Sequence, residues 1–487
     1  MKRFIAALIL LSLILSACGA AKTGQSPESV VTTEGEANEA ATLYIDDIPE
    51  DADFGGAELL VLIRALYAPY DLLGESGGDI VLDAIYKRNA MIEERLNVTL
   101  VPVVKEEGDA DIAELVRQSV LADSDPYHIY LARGPEGAAL SLEAMLLSAK
   151  ELPHINIDAP WWNKKFTKNM AINENELFYL AGDAVLSVFK CSNCVFFNKA
   201  DFENRFGDYE EQIYQTVFDG KWTYDKFMSY VEQSYEDING NGTTDAEDHY
   251  GAVYLDYAQD WYISSAGVNF MSRDDEGYPK LELYNDDAVT LCDYLQRLFS
   301  DKTLAWCFVG EQLDMGNFFK SRNALFLPGR FTYVDGNLRD MEDPYGIIPY
   351  PKVKESLEYM SASGHSGNFV TVPINNPIPE ATSAVIEALT AEGYSSVFPI
   401  YYEESLKIKY TDGGTDAKMI DLIHDCINFY VTSNVFIGGE RIGTMLQEVV
   451  MDSSKNYASF HKANIDKKEG LLLKLIETYE YNHSAKG

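Results

Sequence analysis

Basic side chains are scarce in this chain of 487 residues: 39 Lys and Arg face 77 Asp and Glu, for a formal net charge of −38. Such a surface repels nucleic-acid phosphates and anionic headgroups, which excludes partners held by general electrostatics. Histidine is sparse as well, and His128, His154, His249 and His365 are scattered without metal-ligand spacing. No HExxH and no GxxxxGK followed by Ser or Thr occurs, so zinc-hydrolase and phosphate-loop chemistry lack a sequence warrant. Beyond Cys18 the cysteines are Cys191, Cys194, Cys292, Cys307 and Cys426, an odd set that spells no disulfide framework. Cys191 and Cys194 have redox or zinc spacing but no second pair to complete a site; two small residues near a strand is the favoured reading, with a local disulfide left open. No apolar run reaches the about 20 residues that a bilayer core requires.

What the chain does have begins at its start. Lys2 and Arg3 lead into an apolar run over 4–15, then Leu15-Ser16-Ala17-Cys18-Gly19, the pattern of a secretory signal over 1–17 with small residues at its cut. Cysteine directly after Leu-Ser-Ala resembles the lipobox of bacterial lipoproteins, which implies acylation of Cys18 and a membrane-held, extracytoplasmic protein. Two or three acyl chains hold a protein at a membrane where one does not. Residues 18–50 are rich in Ala, Gly, Ser, Thr and Glu without apolar periodicity and read as a lipidated tether, spanning roughly 30 Å as a flexible coil.

The remainder is too long for one core and should divide into lobes. Apolar runs at 59–64, 98–104 and 127–132, with helical periodicity at 80–96 and 110–121 between them, predict a mainly parallel sheet covered by helices. A second unit starts near 186, with strands at 195–198, 250–255 and 324–327, helices at 222–234 and 286–299, and a break at Pro328-Gly329-Arg330. The expected division is 51–185 in lobe 1, 186–310 in lobe 2, 311–350 returning to lobe 1, and 351–487 completing lobe 2. Ligands of such sheets bind beyond the carboxyl ends of the strands, which places Arg64, Tyr67 and Arg133 at the first lobe's rim.

The sharpest local motif runs from Asp237 to Asp248. Asp237, Asn239, Asn241, Asp245 and Asp248 occupy loop positions 1, 3, 5, 9 and 12, with Thr243 at 7 and Gly242 at 6. That is the ligand pattern of an EF-hand-type loop, in which alternate oxygens converge on Ca2+ and glycine permits the sharp turn. Asp in place of Glu at position 12 suits a structural site rather than a switch. The competing reading is a metal-free Asn/Gly surface turn.

Several segments in order resemble one family: the lipobox and tether, Phe196-Phe197-Asn198-Lys199, the run from Lys221 to Phe227, the calcium-like loop leading to Tyr250-Gly251, and Phe318-Phe319-Lys320 to Pro328-Gly329. Together they are similar to extracellular solute-binding proteins of bacterial ABC importers, carbohydrate-type branch. The resemblance covers 58 to the carboxyl end. It implies an α/β, two-lobed periplasmic-binding-protein-like fold of type II, hinge-linked, closing as a monomer on a sugar that is handed to a permease, without catalysis. It also implies ligand contacts from Asp256, Tyr257 and Trp261 after one strand, and from Arg330, Phe331 and Tyr333 after another. Rings suit the apolar faces of sugars, and charged groups suit their hydroxyls. Arg330, Arg64 and Arg133 could instead meet a carboxylate or phosphate. A secreted glycoside-active enzyme and a calcium-braced surface adhesin are the rival readings.

Overall fold

The computed structural model describes residues 45–106, 112–124, 126–310, 312–363, 366–407 and 414–484. The expected leader, Cys18, most of the tether and His365 lie outside them. Residues from Tyr44 onward form one compact unit. No helix among the described residues is long and apolar enough to cross a membrane.

The chain first lays down β1 (Ala57–Arg64), β2 (Val98–Lys105), β3 (Ile129–Arg133) and β4 (Tyr179–Leu180). It then crosses to a second sheet with β5 (Asn193–Asn198) and β6 (Tyr250–Leu255), a hairpin of β7 (Met271–Arg273) and β8 (Pro279–Leu281), and β9 (Ala305–Phe308), β10 (Ala324–Arg330) and β11 (Tyr345–Ile348). Next come β12 (Ser361–Ala362), β13 (Asn368–Thr371), β14 (Ile427–Asn428) and a last hairpin of β15 (Phe436–Ile437) and β16 (Glu440–Arg441). The first sheet has the order β2-β1-β3-β13-β4, and the second β11-β5-β10-β6-β9. Both are parallel except for one strand each: β13 runs against β3 and β4, and β5 against β10 and β11. Each exception is the first main-sheet strand the chain forms after crossing from the other sheet. The fold is thus α/β with two mainly parallel sheets flanked by helices, as expected.

Local chemistry explains the layers. All six residues of β5 and of β6 are buried, the continuous apolar pattern of strands covered on both faces. At Gly251 in β6 a Cβ would stand 2.4 Å from the Cα of Val231, so glycine lets the helix Tyr224–Val231 seat directly on the sheet. Thr223 and Asn285 start their helices by accepting from the N–H groups of Lys226 and Ala288.

Two expectations are corrected here. Residues 324–330 and 345–348 join the second sheet, and 368–371 the first, so 311–350 does not supply lobe 1 strands and 351–487 does not belong wholly to lobe 2. Pro328 does not break its strand. Pairing of β10 to β6 ends at Phe326, while pairing to β5 continues to Arg330, so the proline sits where one side needs no donor.

The crossings are tied at Asp71, which follows β1. Its Oδ1 accepts from Ser187 N–H at 2.8 Å, and its Oδ2 accepts from Ser187 Oγ and Asn368 Nδ2, both at 2.7 Å. Ser187 belongs to the first crossing and Asn368 opens β13, so one carboxylate holds both to lobe 1. The helix Tyr457–Ser484 spans the two lobes: Tyr457 donates to the Leu283 carbonyl, while Asn482 and His483 bond the carbonyls of Leu142 and Ser141 at 2.7 and 2.8 Å.

Candidate functional site

Strand ends from both sheets and residues of the crossings meet at one corner. From lobe 2, Trp261 stands in the helix Gln259–Ser264 just beyond β6, and Arg330 ends β10. The Arg330 guanidinium carbon lies 4.8 Å from the Trp261 ring centre, a cation–π stack, and its Nη1 donates to Ser366 Oγ at 3.1 Å. From lobe 1, Tyr67 follows β1 and accepts a hydrogen bond from Cys191 Sγ at 3.1 Å. Burial lifts the Tyr67 phenol far above its ordinary range and the Cys191 thiol to about 11, so both are neutral at physiological pH. The cavity left between Cys191, Trp261, Arg330, Ser363, Ser366 and Phe429 is about 10 Å³, at the lower limit for a single water.

The expected residues divide. Trp261, Arg330, Tyr257 and Tyr67 belong to this corner; Tyr257 is 47% exposed and meets Trp261 edge-on at 6.4 Å. Asp256, on the same rim, accepts from the Gly310 N–H at 3.3 Å. Tyr333 is buried with its hydroxyl unpartnered, its ring lying over Gly329, where a Cβ would come within 2.5 Å of it. Phe331 is a correction: it is fully buried, 4.3 Å from the Phe189 ring, and belongs to the core. Arg64 is another, since it is buried and its guanidinium is taken by Glu136. Arg133 shares that carboxylate at 2.9 Å, though its side chain stays 41% exposed. Burial alone would raise the Glu136 carboxyl, but the Tyr130 hydroxyl and then the charges of Arg133 and Arg64 hold it below the usual range.

Sequence reasoning missed Asn193, which opens β5, Ser363 and Ser366 between β12 and β13, and Phe429 just after β14, whose meeting in space leaves no local pattern. Asp260, beside Trp261, was within reach; its Oδ2 accepts from Arg441 at 2.8 Å. All five described cysteines outside the leader are free, so Cys191 and Cys194 form no disulfide.

A far larger cavity, about 1310 Å³, contains none of the nine expected residues. Met360, Ile427 and Asn428 line it, while Ala362 and Phe429, next along the same paired strands, line the small one. The β12–β14 pair therefore divides them. We place the site at the Trp261 corner despite its size, because the strand carboxyl ends converge there.

In the loop 237–248, Asp237 Oδ2 accepts from Gly242 N–H at 2.9 Å, and Asp248 Oδ2 accepts from the Tyr235 hydroxyl at 3.0 Å and Asp245 N–H at 3.1 Å. Gly242 has φ of 72°, a left-handed turn that glycine makes without strain. Asp237 Oδ1 and Asp248 Oδ1 are each buried without a partner. Among the described residues no group of three or more His, Cys, Asp or Glu is placed to hold a metal. The loop's oxygen donors, in part amides and a threonine, fit only a hard cation.

No family model matches the chain, and no curated protein matches it. Solved structures do. A galacto-N-biose/lacto-N-biose I-binding protein of an ABC transporter from Bifidobacterium longum aligns at TM-score 0.53 and 12% identity, over 86% of this chain and 98% of that one. The GacH receptor of Streptomyces glaucescens, solved with acarbose, aligns at 0.51 and 11%, over 86% and 98%. UgpB from Mycobacterium tuberculosis, solved with glycerophosphocholine, aligns at 0.51 and 11%, over 87% and 99%. At this identity the likeness establishes the fold: this chain shares the two-lobed architecture of ABC-transporter binding proteins.

Proposed function

We propose that this protein is an extracytoplasmic solute receptor, which binds a small hydroxylated solute of the carbohydrate class between its lobes and delivers it to an ABC importer. The observation that carries the reading is the convergence of Tyr67 from lobe 1, Trp261 and Arg330 from lobe 2, and Cys191 and Ser366 from the crossings. A solute touching both lobes favours the closed population, and no bond need be made or broken. The binding proteins sharing the fold, solved with lacto-N-biose and acarbose, support a sugar. The lipobox at Cys18 supports anchoring to the membrane, and the two unpartnered carboxylate oxygens of Asp237 and Asp248 support calcium in the loop, since burying them unsatisfied is costly.

The test is calorimetry and thermal shift over a sugar panel, with Trp261→Ala beside the native chain. A ligand selective for the folded state raises the midpoint. Trp261→Ala should lower affinity about tenfold or more through loss of the indole under Arg330. A native chain that answers to no sugar, neutral or charged, overturns the receptor assignment; unchanged affinity in the variant removes Trp261 from the site.

A further inference from the structure

The chain carries nearly two acids for every base, 77 against 39, so a cation near its surface should readily find a carboxylate. Arg330 does not. Among the described residues its polar contact is the Ser366 hydroxyl and its Nε is buried with no acceptor, while its guanidinium carbon lies over the Trp261 ring, 4.8 Å from the centre. The nearby acids are engaged elsewhere: Asp260 with Arg441, Asp335 with Lys190, Asp256 with the Gly310 N–H, and Asp71 with Ser187 and Asn368. Tyr67 and Cys191, which face Arg330, are held neutral by burial and offer it no charge.

Stacking on indole orients a guanidinium and spares its in-plane donors, the fork that matches a carboxylate or phosphate. A neutral sugar could accept one hydrogen bond from it but would leave the charge uncompensated. We propose that Arg330 is a specificity determinant for the anionic group of the solute, and that the ligand is a hydroxylated compound bearing a carboxylate or phosphate, such as a uronate or a sugar phosphate. This rests on the receptor reading above and narrows its substrate class. The like-signed charge of the protein as a whole slows approach of such a ligand, so the selectivity is local to the cleft.

The test pairs each neutral sugar with its acid: glucose with glucuronate, galactose with galacturonate, their di- and trisaccharides, and glucose with glucose 6-phosphate and glycerophosphodiesters. Titrations are run at low and moderate salt on the native chain, Arg330→Gln and Arg330→Lys, with thermal midpoints without ligand to verify folding. The expected result is an acid bound at least about tenfold tighter than its neutral partner, weakening with salt. Arg330→Gln should lose about 10- to 100-fold for the acid and little for the neutral partner, and Arg330→Lys should fall between. Uronate and phosphate arms identify which anion is meant. A neutral sugar bound as tightly as its acid, or an unchanged acid affinity in a folded Arg330→Gln, overturns the anion proposal and leaves the receptor intact. Failure of every compound to bind overturns both.

Discussion

Asp71 allows the joint between the crossings to be tested by two substitutions that should act in opposite directions. Its carboxylate is 1% exposed and takes three hydrogen bonds, from Ser187 N–H, Ser187 Oγ and Asn368 Nδ2. Asp71→Ala removes the acceptor and strands those three donors in a dry site, where each costs about 1–3 kcal/mol, so roughly 3–9 kcal/mol should be lost. Asp71→Asn is different. Its amide oxygen keeps the Ser187 N–H, and a turn of the Asn368 side chain brings that residue's Oδ1, buried and unpartnered, to accept from the new amide. Burial raises the Asp71 pKa to about 6 from 3.8, against the hydrogen bonds of Ser187 and Asn368 and the charge of Arg88, which lower it. A folded pKa above the unfolded one makes the folded state the better proton binder between those values. The native chain therefore loses stability as pH rises through that window, and the whole penalty is present above pH 6. At about 1.4 kcal/mol per pKa unit, a neutral isostere recovers up to roughly 3 kcal/mol there. Urea midpoints for the three proteins across acid to neutral pH are the assay. Asp71→Asn should exceed the native chain above pH 6 and converge on it near pH 4, with Asp71→Ala far below throughout. An Asn variant as damaged as the Ala variant, or a gap indifferent to pH, refutes the account.

His424 bonds Asp183 at 3.1 Å; burial alone would lower its pKa, but hydrogen bonds to Asp183 and Asp425 outweigh it and hold the ring at about 9. A raised folded pKa gives stability that is complete below about 6.5 and lost as pH rises through the folded value, so the deficit of His424→Asn in urea should be largest in mild acid and shrink beyond pH 9. An equal deficit at both ends refutes it. For the loop 237–248, calcium should raise the thermal midpoint of chelator-stripped protein and leave Asp237→Asn nearly unmoved. A native chain indifferent to calcium would sink the metal reading.

Much of this was legible in advance where burial is two-sided. The runs at 59–64 and 250–255 are strands because a covered parallel sheet consumes uninterrupted apolar sequence, while 98–104, at the sheet edge, was legible from its β-branched residues. The loop 237–248 was legible because its oxygens and glycine answer to local geometry alone. Trp261 and Arg330 were named through the family resemblance, which implies contacts after those two strands; Trp261 stands in the helix just beyond β6 and Arg330 ends β10. Phe331, next to Arg330, misled: adjacent residues on a turning chain face opposite ways, and only the position of Phe189 made one of them core.

By itself the amino-acid order determined what depends on neighbours along the chain: most strands and helices, the acidic charge balance, the export signal as an expectation, and the spacing of the calcium-like loop. Tertiary structure alone decided which sheet received β10, β11 and β13, that Glu136 would claim Arg64, and that Arg330 would lie on Trp261 with no acid paired to it among the described residues. Those outcomes depend on residues brought together from distant parts of the chain, where pairing partners and burial are set by the whole packed body rather than by any stretch of it.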